Sequence, residues 1–531
     1  RTAAAQPTDG YPRDPRIDAL HYHFTIHLED STDRIVGQAR LNMRVDPGTD
    51  SIRLDLISTN EEGKGMRVSG ILLDGEVPSW SHRDGRISVR LIGESQQPDT
   101  ITLDISYSGV PMDGLIISKN RHAERTFFAD NWPDRARNWI PCIDHPSDKA
   151  TVEFTVRAPE HYRVVSNGMM TAEYPFFAEP DAHHPGSGGL RYRVTRWEER
   201  IPIPTKVMVI GVADFAWETA GYSSGIPVQS WVFARDRING FIDYAPAVGI
   251  LDHFQELIGP YSYEKLANVQ SRTMFGGMEN SGCIFYHENS VSGRNRLHSL
   301  LAHEIAHQWF GDAVTEGDWH HIWLSEGFAT YLEACYADSF IPGRSLQSTM
   351  SNTRTSVINY FKRTGKPVID TTEMNLMSLL NTNSYQKGAW VLHMLRQEVG
   401  AELFWAGIRQ FYASYRDKNV LTGDFKAVME EVTGKDLATF FHQWLYVAGH
   451  PVIQLSWNYQ AGQRELAVEV RQSQETLFEF PLELGLQMEE GLVITGPYYI
   501  QSCNQTIVIP LDTKPLNLIP DPVVKLLVEV N

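Results

Sequence analysis

The chain has few of the residues that would indicate a disulfide scaffold, a membrane span or a nucleic-acid surface. Its 531 residues include four cysteines at distant positions, so neither a disulfide framework nor a cysteine-rich metal site is expected. No run of 18 or more apolar residues provides a candidate transmembrane helix. The 47 Lys and Arg against 65 Asp and Glu, a net charge of −18, argue against nucleic acid. We therefore predict no nucleic-acid or membrane partner, and the sequence leaves the oligomeric state open.

What remains is a long chain of ordinary globular composition. With 42% apolar residues, and about 150 residues per domain as a soft prior, it suffices for three or four folded domains. The sequence begins Arg-Thr-Ala-Ala-Ala rather than with Met, which indicates that a preceding segment was removed. This start favours a secreted or periplasmic location, with a cytoplasmic one as the alternative.

The first part of the chain alternates apolar and polar residues, which is the period of half-buried strands. The clearest run comprises Leu20, Tyr22, Phe24, Ile26 and Leu28. Similar runs, separated by turn dipeptides such as Asp-Gly, continue to about residue 215. We predict an all-β N-terminal domain over residues 1–215, with a glycine-rich loop at 179–189.

From about residue 243 the apolar residues recur at steps of three and four, which predicts helices. The expected helical stretches are 295–309, 322–336, 385–399, 403–415 and 438–447. Strand patterns return after residue 451. We therefore predict a mainly helical domain over 216–449 and a small C-terminal β domain over 450–531.

The strongest chemical motif is His303-Glu304-Ile305-Ala306-His307, on a predicted amphipathic helix. Residues four apart lie on the same helix face, so both imidazoles can bind a single ion. Neutral imidazole is a good zinc ligand at about 2.0–2.1 Å, and the glutamate one position on can hold a water molecule. The pattern predicts zinc together with a carboxylate base.

A candidate third ligand strengthens the interpretation of this motif as a metal site. Glu326 follows His307 by 19 residues, on a second predicted helix. Two histidines and one glutamate leave the fourth position open for water, which is typical of a catalytic rather than a structural zinc site. The alternative is that His303 and His307 are surface histidines of an ordinary helix.

These residues resemble the gluzincin aminopeptidases, the relatives of aminopeptidase N, aminopeptidase B and leukotriene hydrolase. The family's second signature, Gly-x-Met-Glu-Asn, stands here as Gly276-Gly277-Met278-Glu279-Asn280. Its Tyr-x-Lys-Gly element stands here as Tyr385-Gln386-Lys387-Gly388. The resemblance implies a multi-domain α+β fold with an N-terminal all-β domain, a thermolysin-like, mainly helical zinc domain and a small C-terminal β-sandwich.

The resemblance also implies an activity and the residues that carry it. It implies a zinc aminopeptidase that holds one Zn²⁺ between His303, His307 and Glu326. Such an enzyme hydrolyses the N-terminal bond of peptide substrates with a free N-terminus, through a zinc-activated water. Glu304 is then the general base and acid, and Tyr385 stabilises the oxyanion.

The Gly-Gly-Met-Glu-Asn segment is predicted to bind the substrate. Glu279 binds the free α-ammonium, and its fixed distance from zinc makes the enzyme an exopeptidase. Gly276 and Gly277 leave a bare backbone along which an extended peptide can run. With Met278 and Asn280 they complete the predicted substrate-binding segment.

The sequence departs from the family in the first domain. Family members often have Gln-x-Glu or Gln-x-Gln ahead of a Pro-Cys-x-Asp segment, and here Asp130 takes the position of the Gln. We expect Asp130 either to contact the substrate ammonium or to be an ordinary loop carboxylate. Trp132 and Phe275 are predicted to shape the pocket for the first residue, which favours a bulky apolar or aromatic one.

The chain ends after the small β domain, so the resemblance is to a short form without the large C-terminal helical domain of many relatives. Two alternative functions remain. A bifunctional aminopeptidase and epoxide hydrolase, as in leukotriene hydrolase, needs the walls of that helical domain. A catalytically silent peptide-binding relative would have lost a ligand, the base or the tyrosine, and none of these positions is changed.

Overall fold

A computed structural model of the chain describes residues 8–91, 99–177 and 191–531. The predicted glycine-rich loop at 179–189 lies outside these residues.

The chain divides into two compact units. The first comprises Arg1–Asp318 together with Tyr415–Val420. The second comprises Trp319–Ser414 and Leu421–Asn531. The boundaries of the three predicted domains stay a prediction.

The first unit begins with strands. They are β1 (Ile17–His27), β2 (Ile35–Val45), β3 (Ser51–Asp55), β4 (Gly65–Leu73), β5 (Trp80–Arg83), β6 (Arg86–Arg90), β7 (Asp99–Val110), β8 (Leu115–Lys119), β9 (Arg125–Ala129), β10 (Lys149–Pro159), β11 (Arg163–Ser166), β12 (Met169–Phe177), β13 (Arg191–Pro204), β14 (Ile210–Ala213), β15 (Phe215–Ser223) and β16 (Ile226–Phe233). A seven-stranded sheet has the order β12-β13-β10-β1-β2-β7-β4, a four-stranded sheet the order β11-β14-β9-β8 and a three-stranded sheet the order β3-β6-β5. The N-terminal part of the chain is therefore β-rich, as predicted.

Strand β1 shows why alternation predicts a strand and where the prediction fails. Tyr22, Phe24 and Ile26 are fully buried, and the residues between them are half-buried. Leu20 was expected on the buried face but is 39% exposed. The register between β1 and β2 shifts after Ala19, and Ala19 is buried instead of Leu20. A shift of one residue exchanges the two faces of a strand, so the alternation begins only after this bulge.

The rest of the first unit carries helices and a second major sheet. Its elements are α1 (Arg237–Tyr244), α2 (Ala247–Leu257), β17 (Leu266–Ser271), β18 (Gly277–Met278), β19 (Cys283–His287), α3 (His298–His307), β20 (Val314–Glu316) and β21 (Lys418–Val420). The five-stranded sheet has the order β15-β16-β17-β19-β18, so that β18 lies at its edge. Strands β20 and β21 pair in parallel.

The second unit is helical first and then β. Its elements are α4 (Trp323–Phe340), α5 (Leu346–Thr364), a π-helical turn (Asn383–Lys387), α6 (Gly388–Val399), α7 (Ala401–Tyr415), α8 (Thr422–Thr433), α9 (Ala438–Phe441), a second π-helical turn (His442–Tyr446), β22 (Val452–Gln460), β23 (Glu465–Gln472), β24 (Phe480–Met488), β25 (Gly491–Ile500), β26 (Asn504–Pro510), β27 (Asn517–Pro520) and β28 (Glu529–Val530). The last seven strands form one sheet of order β26-β23-β22-β28 and another of order β25-β24-β27. The predicted α+β fold, with its sequence of β, helical and β parts, is confirmed.

None of the helices in the described part of the chain is long and apolar enough to cross a bilayer.

Candidate active site

Helix α3 carries the histidine motif, and its burial orients the two imidazoles. Leu301 and Ile305 are fully buried on one side, whereas His303 is half-buried. His303 and His307 point their Nε2 atoms at one another at 3.2 Å. Two nitrogens that each lie 2.0–2.1 Å from one tetrahedral zinc ion are about 3.3 Å apart. The pair therefore has the spacing that a shared zinc ion requires.

The hydrogen bond of Nδ1 fixes the tautomer of His307. Its Nδ1 lies 3.2 Å from the backbone oxygen of Phe310. A carbonyl oxygen only accepts, so Nδ1 donates its proton and Nε2 keeps the lone pair that a metal needs. The donor set fits a zinc ion without rearrangement of this imidazole.

Two buried carboxylates lie beside the second histidine. The ligand atoms of Glu279, Glu304 and His307 are all within 4.8 Å of one another. Both glutamates are 5% exposed. Among the residues that the structure describes, Oε1 of Glu279 finds no hydrogen-bond donor. A buried carboxylate oxygen without a partner is costly, so this position is suited to a cation.

The predicted substrate segment lies at the edge of the five-stranded sheet. Gly277 and Met278 form β18, which pairs with Tyr286 and Phe285 of β19 on one side. The far side of an edge strand offers backbone groups to an added peptide. A Cβ built on Gly277 would lie 2.1 Å from Oε1 of Glu304, so the bare glycine permits this close approach of the loop to the carboxylate.

The other residues of this segment differ in exposure. Gly276 is exposed, and a Cβ built on it would meet no described residue within 4 Å. Met278 is 3% exposed and Asn280 is fully buried. A peptide can therefore reach the backbone at the two glycines more directly than the side chains of Met278 and Asn280.

The residues predicted from the first domain meet the loop that precedes this segment. Asp130 is fully buried, and its Oδ1 accepts from Arg135 at 2.6 Å and its Oδ2 from the backbone N–H of Met274 at 2.9 Å. Burial raises the pKa of Asp130, although Arg135 opposes the shift. The ring of Trp132 meets Phe275 edge-on, with 5.9 Å between centroids. Contact of Asp130 with substrate, and the pocket role of the two aromatic residues, stay predictions.

A buried ion pair near Glu279 was not predicted. Nζ of Lys206 donates to Oε1 of Glu316 at 2.5 Å, and both side chains are at most 1% exposed. Burial opposes the charge of Lys206, but Glu316 and Glu279 outweigh it and raise the pKa of the lysine. Lys206 therefore stays charged and adds positive potential near Glu279. No local pattern reveals this pair, because its members are 110 residues apart.

In the second unit, Glu326 lies in the first turn of α4 and is 4% exposed. The next residue, Gly327, packs directly on Gly388 at the start of α6. A Cβ on Gly327 would stand 2.9 Å from the Cα and the carbonyl carbon of Gly388. This contact of two bare backbones fixes α4 against the π-helical turn that carries Tyr385, which is half-buried.

The structure explains two residues of the Tyr-x-Lys-Gly element. Gly388 provides the close contact with α4. Lys387 is 2% exposed, and its Nζ donates to the backbone oxygen of Gly449 at 2.9 Å. Burial lowers the pKa of Lys387 to about 7. The lysine and the glycine therefore hold the turn in place, and the role of Tyr385 stays a prediction.

A β-rich first domain followed by a helical domain with an HExxH helix defines the class of the zinc metallopeptidases. The family model described as the Peptidase family M1 domain matches residues 246–444, and that of the Peptidase M1 N-terminal domain matches residues 18–182. The chain belongs to peptidase family M1.

Several known proteins are similar to the chain. Aminopeptidase A of Gloydius brevicauda is 25% identical, with 94% of this chain and 54% of that protein covered. Glutamyl aminopeptidase of Homo sapiens is 26% identical, with 67% of this chain and 37% of that protein covered. The chain thus spans about half the length, or less, of these curated relatives.

The solved structures that share the fold include two M1 zinc metallopeptidases. One is a mutant M1 zinc metallopeptidase from Deinococcus radiodurans bound to a Tyr-Ser-Ala substrate, at 23% identity and a TM-score of 0.67, covering 81% of this chain and 94% of that one. The other is a mutant two-domain M1 zinc metallopeptidase bound to L-tryptophan, at 23% identity and a TM-score of 0.68, covering 82% of this chain and 95% of that one.

Proposed function

We propose that the protein is a zinc-dependent aminopeptidase that releases the first residue of peptides with a free N-terminus. One observation carries the proposal. The buried Glu279 has an oxygen without a hydrogen-bond partner among the residues that the structure describes, and its carboxylate lies within 4.8 Å of the ligand atoms of Glu304 and His307. An ammonium group would neutralise this carboxylate, so the site selects the end of a peptide and places the first bond beside the base.

The metal ligands in this proposal are His303, His307 and Glu326. The 3.2 Å separation of the two Nε2 atoms and the tautomer of His307 support the first two. The sequence spacing of Glu326 and its place in the first turn of α4 support the third. Zinc held by these three residues would supply a Lewis acid for a water molecule and the scissile carbonyl.

Two further side chains carry out the proton transfers and stabilise charge. Glu304 takes a proton from the attacking water and delivers it to the leaving amine, so it acts first as base and then as acid. Tyr385 donates its hydroxyl to the oxyanion that forms at the scissile carbon. Each cleavage consumes one water molecule, whose hydroxyl group goes to the released acid and whose other proton goes to the leaving amine.

We further propose that the first residue is aromatic or bulky and apolar. The edge-on contact of Trp132 and Phe275 supports this preference. Both similar structures hold ligands whose first residue is aromatic, Tyr-Ser-Ala in one and tryptophan in the other. The alternative is an acidic first residue, because some relatives are named glutamyl aminopeptidase.

The test uses aminoacyl anilides with free and with N-acetylated amino groups, with and without a chelator. We expect turnover of the free amines only, complete loss with the chelator and its return with zinc. The matched variant Glu304→Ala should keep its zinc and lose turnover. Equal hydrolysis of the acetylated substrates would refute the exopeptidase, and chelator-resistant turnover would refute the metal. Peptide binding without any turnover would instead support the silent relative.

A panel of first residues then decides specificity. Phe, Tyr and Trp anilides should exceed the Glu anilide in kcat/KM, whereas the reverse order would refute the apolar pocket.

A further inference from the structure

Gln308 forms the C-cap of helix α3, and its side chain makes four hydrogen bonds although the residue is only 1% exposed. Nε2 donates to the backbone oxygen of Glu279 at 2.6 Å and to Oδ2 of Asp312 at 2.9 Å. Oε1 accepts from the backbone N–H of Gly282 at 2.8 Å and from the hydroxyl of Tyr261 at 3.2 Å, which shares its proton with the backbone oxygen of Lys265 at 3.1 Å. A side-chain amide offers two donors and two lone pairs, so these contacts use its whole capacity.

The orientation of this amide is fixed by its partners. The carbonyl of Glu279 can only accept, and the N–H of Gly282 can only donate. A reversed amide would place donor against donor and acceptor against acceptor inside the protein. The side chain of Gln308 therefore has a single stable arrangement, which links these two backbone groups to the end of α3.

The two groups that Gln308 contacts bracket the loop after β18. Directly after Glu279, the N–H of Cys283 donates to the backbone oxygen of Asn280 at 2.8 Å, which closes a turn that contains Gly282. Gly282 has a φ of +64°, and its carbonyl accepts from Nζ of Lys265 at 3.0 Å. The loop is thus held at both ends, and Gln308 is the link between it and the metal-binding helix.

We propose that Gln308 is a positioning residue that sets the distance between the carboxylate of Glu279 and the imidazole of His307. His307 directly precedes Gln308 in the chain, and Gln308 donates to the backbone of Glu279 itself. A carboxylate oxygen of Glu279 and an imidazole nitrogen of His307 lie within 4.8 Å of one another. This inference rests on the proposed aminopeptidase function and assigns to Gln308 the restriction of cleavage to the first bond.

A merely structural role for Gln308 has a different consequence. If the amide only filled the core or capped α3, its loss would weaken binding of every ligand of the site alike. A positioning role affects the ammonium group and leaves the metal in place, because His303 and His307 keep their own helix. Two probes separate these roles, L-leucinamide with its ammonium and acetohydroxamic acid, which binds zinc and has none.

The experiment compares the zinc-loaded wild type with Gln308→Met, which keeps the length of the side chain and removes all four hydrogen bonds. We expect inhibition by L-leucinamide to weaken roughly 10- to 100-fold. Inhibition by acetohydroxamic acid and the zinc content should stay unchanged. Tyr261→Phe is the matched control, since it removes one bond to Oε1 and leaves the donor to Glu279, and it should leave both inhibitors unchanged.

Each outcome decides the proposal. Equal weakening of both inhibitors, or of neither, in Gln308→Met overturns it. Should that variant not fold, Gln308→Asn keeps the amide but shortens the side chain, and the same selective loss is expected. A wild type that hydrolyses free and N-acetylated anilides equally refutes the proposed function and this inference with it. A discriminating wild type whose variant keeps its affinity for leucinamide refutes only the role of Gln308.

Discussion

Gly327 and Gly388 approach so closely that one added methyl group should separate α4 from α6. A Cβ on Gly327 would stand 2.9 Å from the Cα and carbonyl carbon of Gly388 and 3.3 Å from the oxygen of Ser384. Carbon atoms in contact prefer about 3.5–4.0 Å, so Gly327→Ala must move backbone by roughly 0.6–1 Å. Overpacking of this kind costs about 1–3 kcal/mol. The urea midpoint should fall accordingly.

The same displacement should reduce activity, because Glu326 adjoins the substituted residue and Tyr385 follows Ser384. A misplacement near 1 Å costs roughly 10²-fold in rate, so we expect kcat/KM on an aminoacyl anilide to fall about 10- to 100-fold. The control is Gly423→Ala in the first turn of α8, where the new Cβ meets nothing within 4 Å. It should leave stability and activity unchanged or raise stability by up to about 1 kcal/mol.

Three results would contradict this reasoning. Full stability in Gly327→Ala would refute the close contact as a constraint. Lower stability with full activity would show that the contact does not position Glu326 and Tyr385. Equal damage from Gly423→Ala would point to a general sensitivity of these helices to substitution.

Three further predictions concern Lys387, the pair of Lys206 and Glu316, and Tyr385. Burial lowers the pKa of Lys387 to about 7 from the 10.5 of an exposed lysine, so its burial penalty is full below pH 7 and declines towards pH 10. Relative to Lys387→Met, the wild type should gain up to about 4 kcal/mol of unfolding free energy between pH 6.5 and 10, and parallel pH profiles would refute the shift. Lys206→Met should lose about 3–5 kcal/mol by leaving Glu316 buried and unpaired, and Lys206→Met with Glu316→Leu should regain most of it, both measured by urea unfolding. Tyr385→Phe should lower kcat about 10²- to 10³-fold with little change in KM and in zinc content, whereas an unchanged kcat would remove the hydroxyl from the mechanism.

Elements that repeat a burial pattern could be predicted from the sequence, and those without one could not. Tyr22 and Phe24 lie on the buried face of β1 because every second residue of a strand does. Helix α5 was not predicted, because only Met350 and Val357 of its 19 residues are buried, too few to produce a clear helical burial pattern. The bulge at Ala19 depends on pairing with another strand, which the local pattern does not contain.

The same distinction applies to the candidate site. The spacing of His303 and His307 is local to one helix, so the sequence predicts that both face one ion. The contact of Gln308 with Glu279 joins residues 29 apart, and no spacing rule relates them. The partners of Asp130 lie in a turn and on a separate loop, so its buried hydrogen bonds were equally hidden.

Strand β18 has only two residues, Gly277 and Met278, which limits how much of a peptide its backbone can hold. At about 3.3 Å per residue, an added strand meets roughly 7 Å of edge, enough for the first residues of a substrate. On the proposed activity, a shortened product is then as good a substrate as its parent, and trimming is distributive, with release after every cut. Peptides of three and of ten residues with the same start should agree in kcat/KM within about threefold, whereas a steep rise with length would reveal a longer groove.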